Sequence, residues 1–218
     1  MPIFIADALV LRTYPLGEAD RIVVFLTRER GKKRGVARSA QRSRRRFGGA
    51  LEPLTEVRVE YVERERRELV SLNFAEARRS PLSSAAAVGG AAGPLEYVGY
   101  FAELIDEWAQ EADPSETLYR LGASMVDAMA VGVPIEPLAR YFEYWLLRLQ
   151  GVYEADVRLS GPARDFLAAA REVSPFALGR VAVTGETLRE LEAAHRALIA
   201  THLEKDLKSA RVLREMRR

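Results

Sequence analysis

Hydrophobic and polar positions follow two different rhythms along the 218-residue chain. Up to about residue 78 the rhythm is that of extended strands. An apolar run over residues 3–11 (IFIADALVL) is closed by Arg12. Residues 14–17 (YPLG) read as a turn, since proline presets φ and glycine tolerates a positive one. Residues 21–27 (RIVVFLT) are β-branched and aromatic, as in a central strand. Residues 30–31 turn the chain, and residues 33–37 return as an antiparallel partner. Residues 55–62 (TEVRVEYV) alternate strictly. Val57, Val59 and Tyr61 fall on one face and Glu56, Arg58 and Glu60 on the other, the period of a half-buried strand. Residues 63–66 form a charged hairpin tip, and residues 69–74 supply a fifth strand.

From Pro81 the rhythm becomes helical. Ser80-Pro81 caps the first helical turn, and an alanine-rich stretch runs to Gly93-Pro94. Residues 95–110 place apolar side chains at 97, 98, 101, 104, 105 and 108, which is helical spacing. Residues 113–116 (DPSE) open a helix reaching about Val131. Pro134 and Pro137 open another, which Gly151 stops. Residues 160–173 and 187–203 carry two more helical patterns, and residues 207–216 a last one. The chain is therefore expected to be α+β in two parts. A five-stranded barrel over residues 1–79 precedes an all-helical domain over residues 80–218, with the boundary near 78–81. Among small closed barrels, the OB-fold is the one most used for nucleic acids.

Composition narrows the picture. A hydrophobic fraction of 48% supports a proper core. No run of about 18 apolar residues predicts a membrane span, and residues 1–10 do not read as a signal peptide. There is no cysteine, so neither disulfides nor thiolate metal sites are expected. The net charge of +2 hides an asymmetry: residues 12–46 carry +9 and the remainder −7. Such a division points to a polyanion-binding end joined to a differently employed body.

The centre of that charge is residues 28–46 (RERGKKRGVARSAQRSRRR), with ten basic residues and a single acid, Glu29. Cations that meet phosphates release condensed counterions, giving strong, salt-sensitive binding. Lys32, Lys33, Arg34 and Arg38 are expected on a strand that holds its cations across the barrel face. Arg42, Arg44, Arg45 and Arg46 are expected on a mobile loop that orders on DNA. Phe47, beside that loop, is the candidate for base stacking, whereas Tyr14, Phe25 and Tyr61 are assigned to the core or its rim.

Other constellations carry less chemistry. Glu103, Asp106 and Glu107 share an amphipathic helix and read as a solvated face. No Walker-type loop exists, and His195 and His202 lie seven residues apart, two turns of one helix. They read as ordinary helix histidines, and no Ser–His–Asp set can be chosen around them. No catalytic residue, cofactor or metal is expected. In residues 140–148 (RYFEYWLLR), Arg140, Tyr141, Trp145 and Arg148 could present cations and aromatic surface to an acidic peptide ending in an apolar residue. The alternative is that both helix faces are core. Lys205, Lys208 and Arg211 form a possible second DNA surface, although basic side chains also suit a helix C-terminus.

Three stretches of the first third are similar to one known family. They are DALVLRTYPLGEADRIVVFLTRERGKKRGVAR, RSRRRFGGALEPLTEVRVEYV and ELVSLNFAEA. YFEYWLLRLQG and HLEKDLKSARVLRE resemble that family's aromatic-rich and C-terminal helices. The chain resembles the bacterial recombination mediators of the RecO family along most of its length. The resemblance implies an OB-fold followed by helices. It implies binding of single- and double-stranded DNA, annealing of complementary strands, and help in loading RecA on SSB-coated DNA. It further implies RecR and the acidic C-terminal tail of SSB as partners, the tail meeting the Arg140–Arg148 region, and a cytoplasmic, nucleoid-associated location. Many members carry a cysteine zinc site after the aromatic-rich helix. Residues 151–183 have no cysteine and are expected to form a zinc-free insert held by packing. Two other functions stay open: an RNA- or ribosome-associated OB protein, and a metal-dependent DNA enzyme.

Overall fold

The computed structural model describes residues 2–64, 67–81, 93–153, 158–205 and 207–216. Its first half is a closed barrel of strand order β1-β2-β3-β5-β4, the OB arrangement. The strands are β1 (Ile3–Leu16), β2 (Asp20–Thr27), β3 (Gly31–Ala37), β4 (Glu56–Val62) and β5 (Val70–Arg79). Strand β1 is long because it serves two neighbours: its first half pairs with β4 and its second with β2, and a bulge between Val10 and Arg12 bends it. The turn expected at residues 14–17 is not there. Tyr14 and Pro15 continue the strand opposite Ile22 and Arg21, and the chain reverses at Gly17, with φ of 63°. Proline's fixed φ suits extended backbone, and its missing N–H is tolerated near a strand end.

Closure comes from the parallel pairing of β3 with β5, Gly35 opposite Val70. A Cβ on Gly35 would stand 3.0 Å from Val70 Cγ2, so glycine permits this approach. Val57, Val59 and Tyr61 point inward, as their alternation predicts, with Phe25 edge-on to Tyr61 at 5.7 Å. One end of the barrel is sealed by a single helical turn, α1 (Arg44–Phe47), which buries Phe47, with Ala50 and Leu51 after it. The expected tip at residues 63–66 is described only in part, since Glu65 and Arg66 lie outside the described residues.

The helices are α2 (Gly93–Trp108), α3 (Glu116–Ala130), α4 (Ile135–Leu149), α5 (Gly161–Glu172), α6 (Gly185–Leu203) and α7 (Lys208–Met216), with a 3-10 turn at Pro175–Arg180. Polar caps set several starts: Ser115, Ser160 and Thr184 each accept a backbone N–H from three residues on. The helical turn expected after Ser80-Pro81 and the alanine-rich stretch lie mostly outside the described residues. Among the described residues, no helix is long and apolar enough to cross a membrane. With no cysteine in the chain there is no thiolate zinc site. Within the expected insert, Ala163, Phe166, Ala170 and Leu178 are buried and pack into the helical core.

The barrel's outer wall is the floor of that core. Leu9, Leu11, Val24 and Leu26 share one cluster with Ile105 and Leu118. The segment joining α2 to α3 also pairs along the edge of β3: Lys32 N–H donates to the Gln110 carbonyl (3.2 Å) and Ala112 N–H to the Lys32 carbonyl (3.1 Å). Gly31 allows this crossing. Its φ is 68°, and a Cβ there would lie 2.4 Å from the Asp113 carbonyl oxygen.

Candidate nucleic-acid interface

The neighbours of β3, more than strand alternation, sort its cations. Lys32 faces α2, where its Nζ donates to the Asp106 carbonyl (2.6 Å) and Oδ1 (3.2 Å). Lys33 pairs with Glu63 at 2.9 Å. Both are largely buried and hold structure together, so the expectation of freely presented cations fails for these two. Arg34 and Arg38 are exposed, and no ion pair among the described residues involves them.

Arg12, counted with the basic end, is likewise engaged. It meets Asp106 at 2.6 Å, Glu107 at 3.0 Å and Glu103 at 3.6 Å. Burial works against its charge, but Asp106, then Tyr14 and Glu103, hold its pKa above the usual value. Glu103 also accepts the backbone N–H of Ser209 (2.7 Å), and Glu107 pairs with Lys205. The three acids of α2 are therefore a seam joining barrel, α2 and α7, not the solvated face their spacing suggests.

The expected mobile loop is instead folded. Ser39, with φ of 54°, donates its N–H to Asp20 Oδ1 (2.7 Å), and its carbonyl accepts from Arg42 (3.1 Å) and Ser43 (3.0 Å). Arg46 donates to the Arg38 carbonyl (2.6 Å) and to Ser43 Oγ (3.0 Å) and lies over the Phe47 ring. It is a strut of the turn. Arg42, Arg44 and Arg45 stay exposed on its outer side.

Phe47 is 2% exposed and plugs the barrel, so it offers no ring to a base. Nothing in RRRFGGAL marks it as core apart from the apolar Ala50 and Leu51 that follow. Removing it should open a cavity costing about 3–5 kcal/mol. Phe47→Ala is accordingly expected to show a lower urea midpoint, whereas a stacking residue would leave that midpoint alone. Exposed rings on the barrel include Tyr14, at 42%, and Phe74, at 38%. Tyr14 lies in a cross-strand row with Ile22, Val36 and Ser71 on the outer face of the sheet. Phe25 and Tyr61 are in the core, as expected.

Two cations missed in the sequence complete the surface. Arg64 and Arg67, from the β4–β5 connection, face Arg38 across an open cleft of about 480 Å³. Their only sequence signal is the charged tip itself, which reads equally well as solvated.

In the helical part, the four residues expected to meet an acidic peptide do not form one surface. Arg140 is 3% exposed and pairs with Glu143 at 2.9 Å and Glu192 at 3.6 Å. Tyr141 is buried, Trp145 is half-buried, and Arg148 is exposed with its guanidinium on the Tyr144 hydroxyl (3.2 Å). Nor is His195 ordinary. It is fully buried with Nδ1 2.9 Å from Glu143 Oε2, while the Tyr100 hydroxyl donates to Oε1 at 2.8 Å. Burial alone would raise the Glu143 carboxyl; Arg140, His195 and Tyr100 outweigh it and keep its pKa below the usual range. His202 stacks on Trp108. Of the C-terminal cations, Lys205 is engaged by Glu107, Lys208 is exposed, and Arg211 lies exposed 3.9 Å from Glu215.

The exposed cations of this region are Arg34, Arg38, Arg42, Arg44 and Arg45; Arg38 shares the cleft beside the β3–β5 seam with Arg64 and Arg67, and Tyr14 stands two strands from Val36. Comparison with known proteins agrees with this architecture. Residues 1–81 match the family model "Recombination protein O N terminal" and residues 95–155 match "Recombination protein O C terminal". The chain is 43% identical over 146 residues to the DNA repair protein RecO of Koribacter versatilis, covering 67% of this chain and 58% of that protein. It is 40% identical over 144 residues to that of Anaeromyxobacter sp. strain K (66% and 55%) and 37% identical over 145 residues to that of Geobacter metallireducens (66% and 57%). The matches thus span less than two thirds of each relative, and α5, α6 and α7 lie beyond the matched family models. With the barrel, the helices behind it and both family models in agreement, the chain belongs to the RecO family.

Proposed function

We propose that this protein acts in DNA repair and recombination by binding single- and double-stranded DNA on the basic surface of its barrel and annealing complementary strands there. Its relatives' name, DNA repair protein RecO, supports the repair role. The observation that carries the binding is the sorting of cations. Arg12, Lys32, Lys33 and Arg46 are engaged inside the fold, while Arg34, Arg38, Arg42, Arg44 and Arg45, all between residues 34 and 45, remain exposed. Phosphates neutralised on one surface repel each other less, so two strands held there can pair. This mechanism makes and breaks no covalent bond. Assistance to RecA loading on SSB-coated DNA, with RecR and the SSB tail as partners in the cytoplasm, belongs to the same proposal. Exposed Arg148, not buried Arg140, is the cation of the aromatic-rich helix available to an acidic tail.

The test is strand annealing on SSB-coated DNA across a salt series. Annealing at low salt that fades as salt rises is expected. Failure to anneal at any salt by folded protein overturns the proposal, and preferential capture by RNA at equal salt would replace it with an RNA-binding role.

A further inference from the structure

The cleft between β3 and the β4–β5 connection has more shape than a phosphate track needs. A basic stripe that only follows a backbone can be flat. Here about 480 Å³ of space opens beside the β3–β5 pairing, within the range of a small-molecule site. Its walls are of two kinds. Val36 and Leu69, both half-buried, give it an apolar side, while the Val70 side chain turns inward to the barrel core. Arg38, Arg64 and Arg67 give it a cationic side, and Glu68 is the one acid among the described lining residues. Ser71 adds a hydroxyl.

We infer that this cleft holds one unpaired nucleotide, its base against Val36 and Leu69 and its phosphate on Arg38, Arg64 and Arg67. The inference rests on the DNA-binding reading above and narrows it to a subsite. A nucleotide has both an apolar face and an anionic end, matching the two walls. Arginine planes also stack on bases, so the guanidiniums can serve both parts. Tyr14 stands two strands from Val36 in the same row, roughly 10 Å at the usual strand spacing, where it can take a neighbouring base. A duplex keeps its bases paired and stacked and offers the cleft only phosphates. The cleft therefore favours single strands, whereas Arg42, Arg44 and Arg45 on the turn accept either form.

Methyl NMR of the whole chain tests this with three probes: dTMP, a dT15 strand, and a 15-base-pair duplex. Val36 and Leu69 methyl signals should move with dTMP and dT15 and stay in place with duplex. The double variant Arg64→Ala/Arg67→Ala should lose at least tenfold in dT15 affinity and under threefold in duplex affinity. If dT15 binds while those methyls stay still, or if the variant loses both ligands equally, the nucleotide subsite is wrong although DNA binding stands. If neither polymer binds but dTMP moves the methyls, the subsite stands and the DNA-binding role falls. If no probe moves them, the subsite falls.

Discussion

Glu143→Ala is expected to lower the melting temperature by about 10 °C or more. The reason is the company the carboxylate keeps. It sits 2.9 Å from both the Arg140 guanidinium and His195 Nδ1, and all three side chains are almost wholly buried. Removing one partner of a buried ion pair strands the other charge, at about 3–5 kcal/mol. That is a large share of a total stability of about 5–15 kcal/mol. For a domain of this size each kcal/mol is worth about 2–4 °C. Glu192, at 3.6 Å from Arg140, relieves part of the loss. Glu143→Gln, which keeps the shape and the Tyr100 contact but not the charge, should fall between wild type and alanine. The pH dependence follows from the sign of the shift. A carboxyl whose folded pKa is depressed adds stability above its unfolded value, about 4.3, and loses it as pH falls through the folded value. The gap between wild type and Glu143→Ala should therefore persist at neutral pH and narrow only below about pH 4. A variant as stable as wild type at pH 7 would mean that the network contributes nothing.

The largest functional effect is expected from the quadruple variant Arg38→Gln, Arg42→Gln, Arg44→Gln, Arg45→Gln. All four side chains are exposed, and none takes part in an ion pair among the described residues. Their loss should shift the melting temperature by no more than a few degrees, since surface changes of this kind are worth under about 0.5 kcal/mol each, of either sign. DNA affinity should drop roughly 10²-fold at moderate salt, and the salt slope should shrink by about 2–3. Arg46→Gln provides the contrast. Arg46 holds the turn through the Arg38 carbonyl and Ser43, so its replacement should cost stability and change the slope little. If Arg46 behaves like its neighbours, the division between strut and contact is wrong.

How much of this was readable in advance depends on whether a feature is local. The strand of residues 55–62 was legible because strict alternation is its own evidence, and Val57, Val59 and Tyr61 are buried as the pattern says. Helix starts at Ser115 and Ser160 were legible because a cap bonds only three residues ahead. The strand at Tyr14-Pro15 was not, because proline with a glycine two residues on resembles a turn until a partner strand holds it straight. The charge pairing was hidden for a different reason. Arg12 and Glu107 are 95 residues apart in sequence, and Lys32 and Asp106 are 74 apart. Counting cations cannot reveal which of them a distant helix neutralises. Periodicity in residues 140–148 shows which side chains share a face, but not that Glu143, Glu192 and His195 close over Arg140. Phe47 was misassigned because one aromatic amid arginines looks like a stacking ring until the open end of a barrel claims it.

On the proposed function, the exposed cations of the barrel, and not the engaged ones, bind DNA. The most direct test is the salt dependence of oligo-dT binding, measured for wild type and the quadruple variant side by side. For wild type, log K should fall linearly with log salt with a slope of about −5, as about seven phosphate contacts on a single strand require. The variant's slope should be near about −2, from Arg34, Arg64 and Arg67. A wild-type slope near zero, or a slope that the four substitutions leave unchanged, would contradict the account.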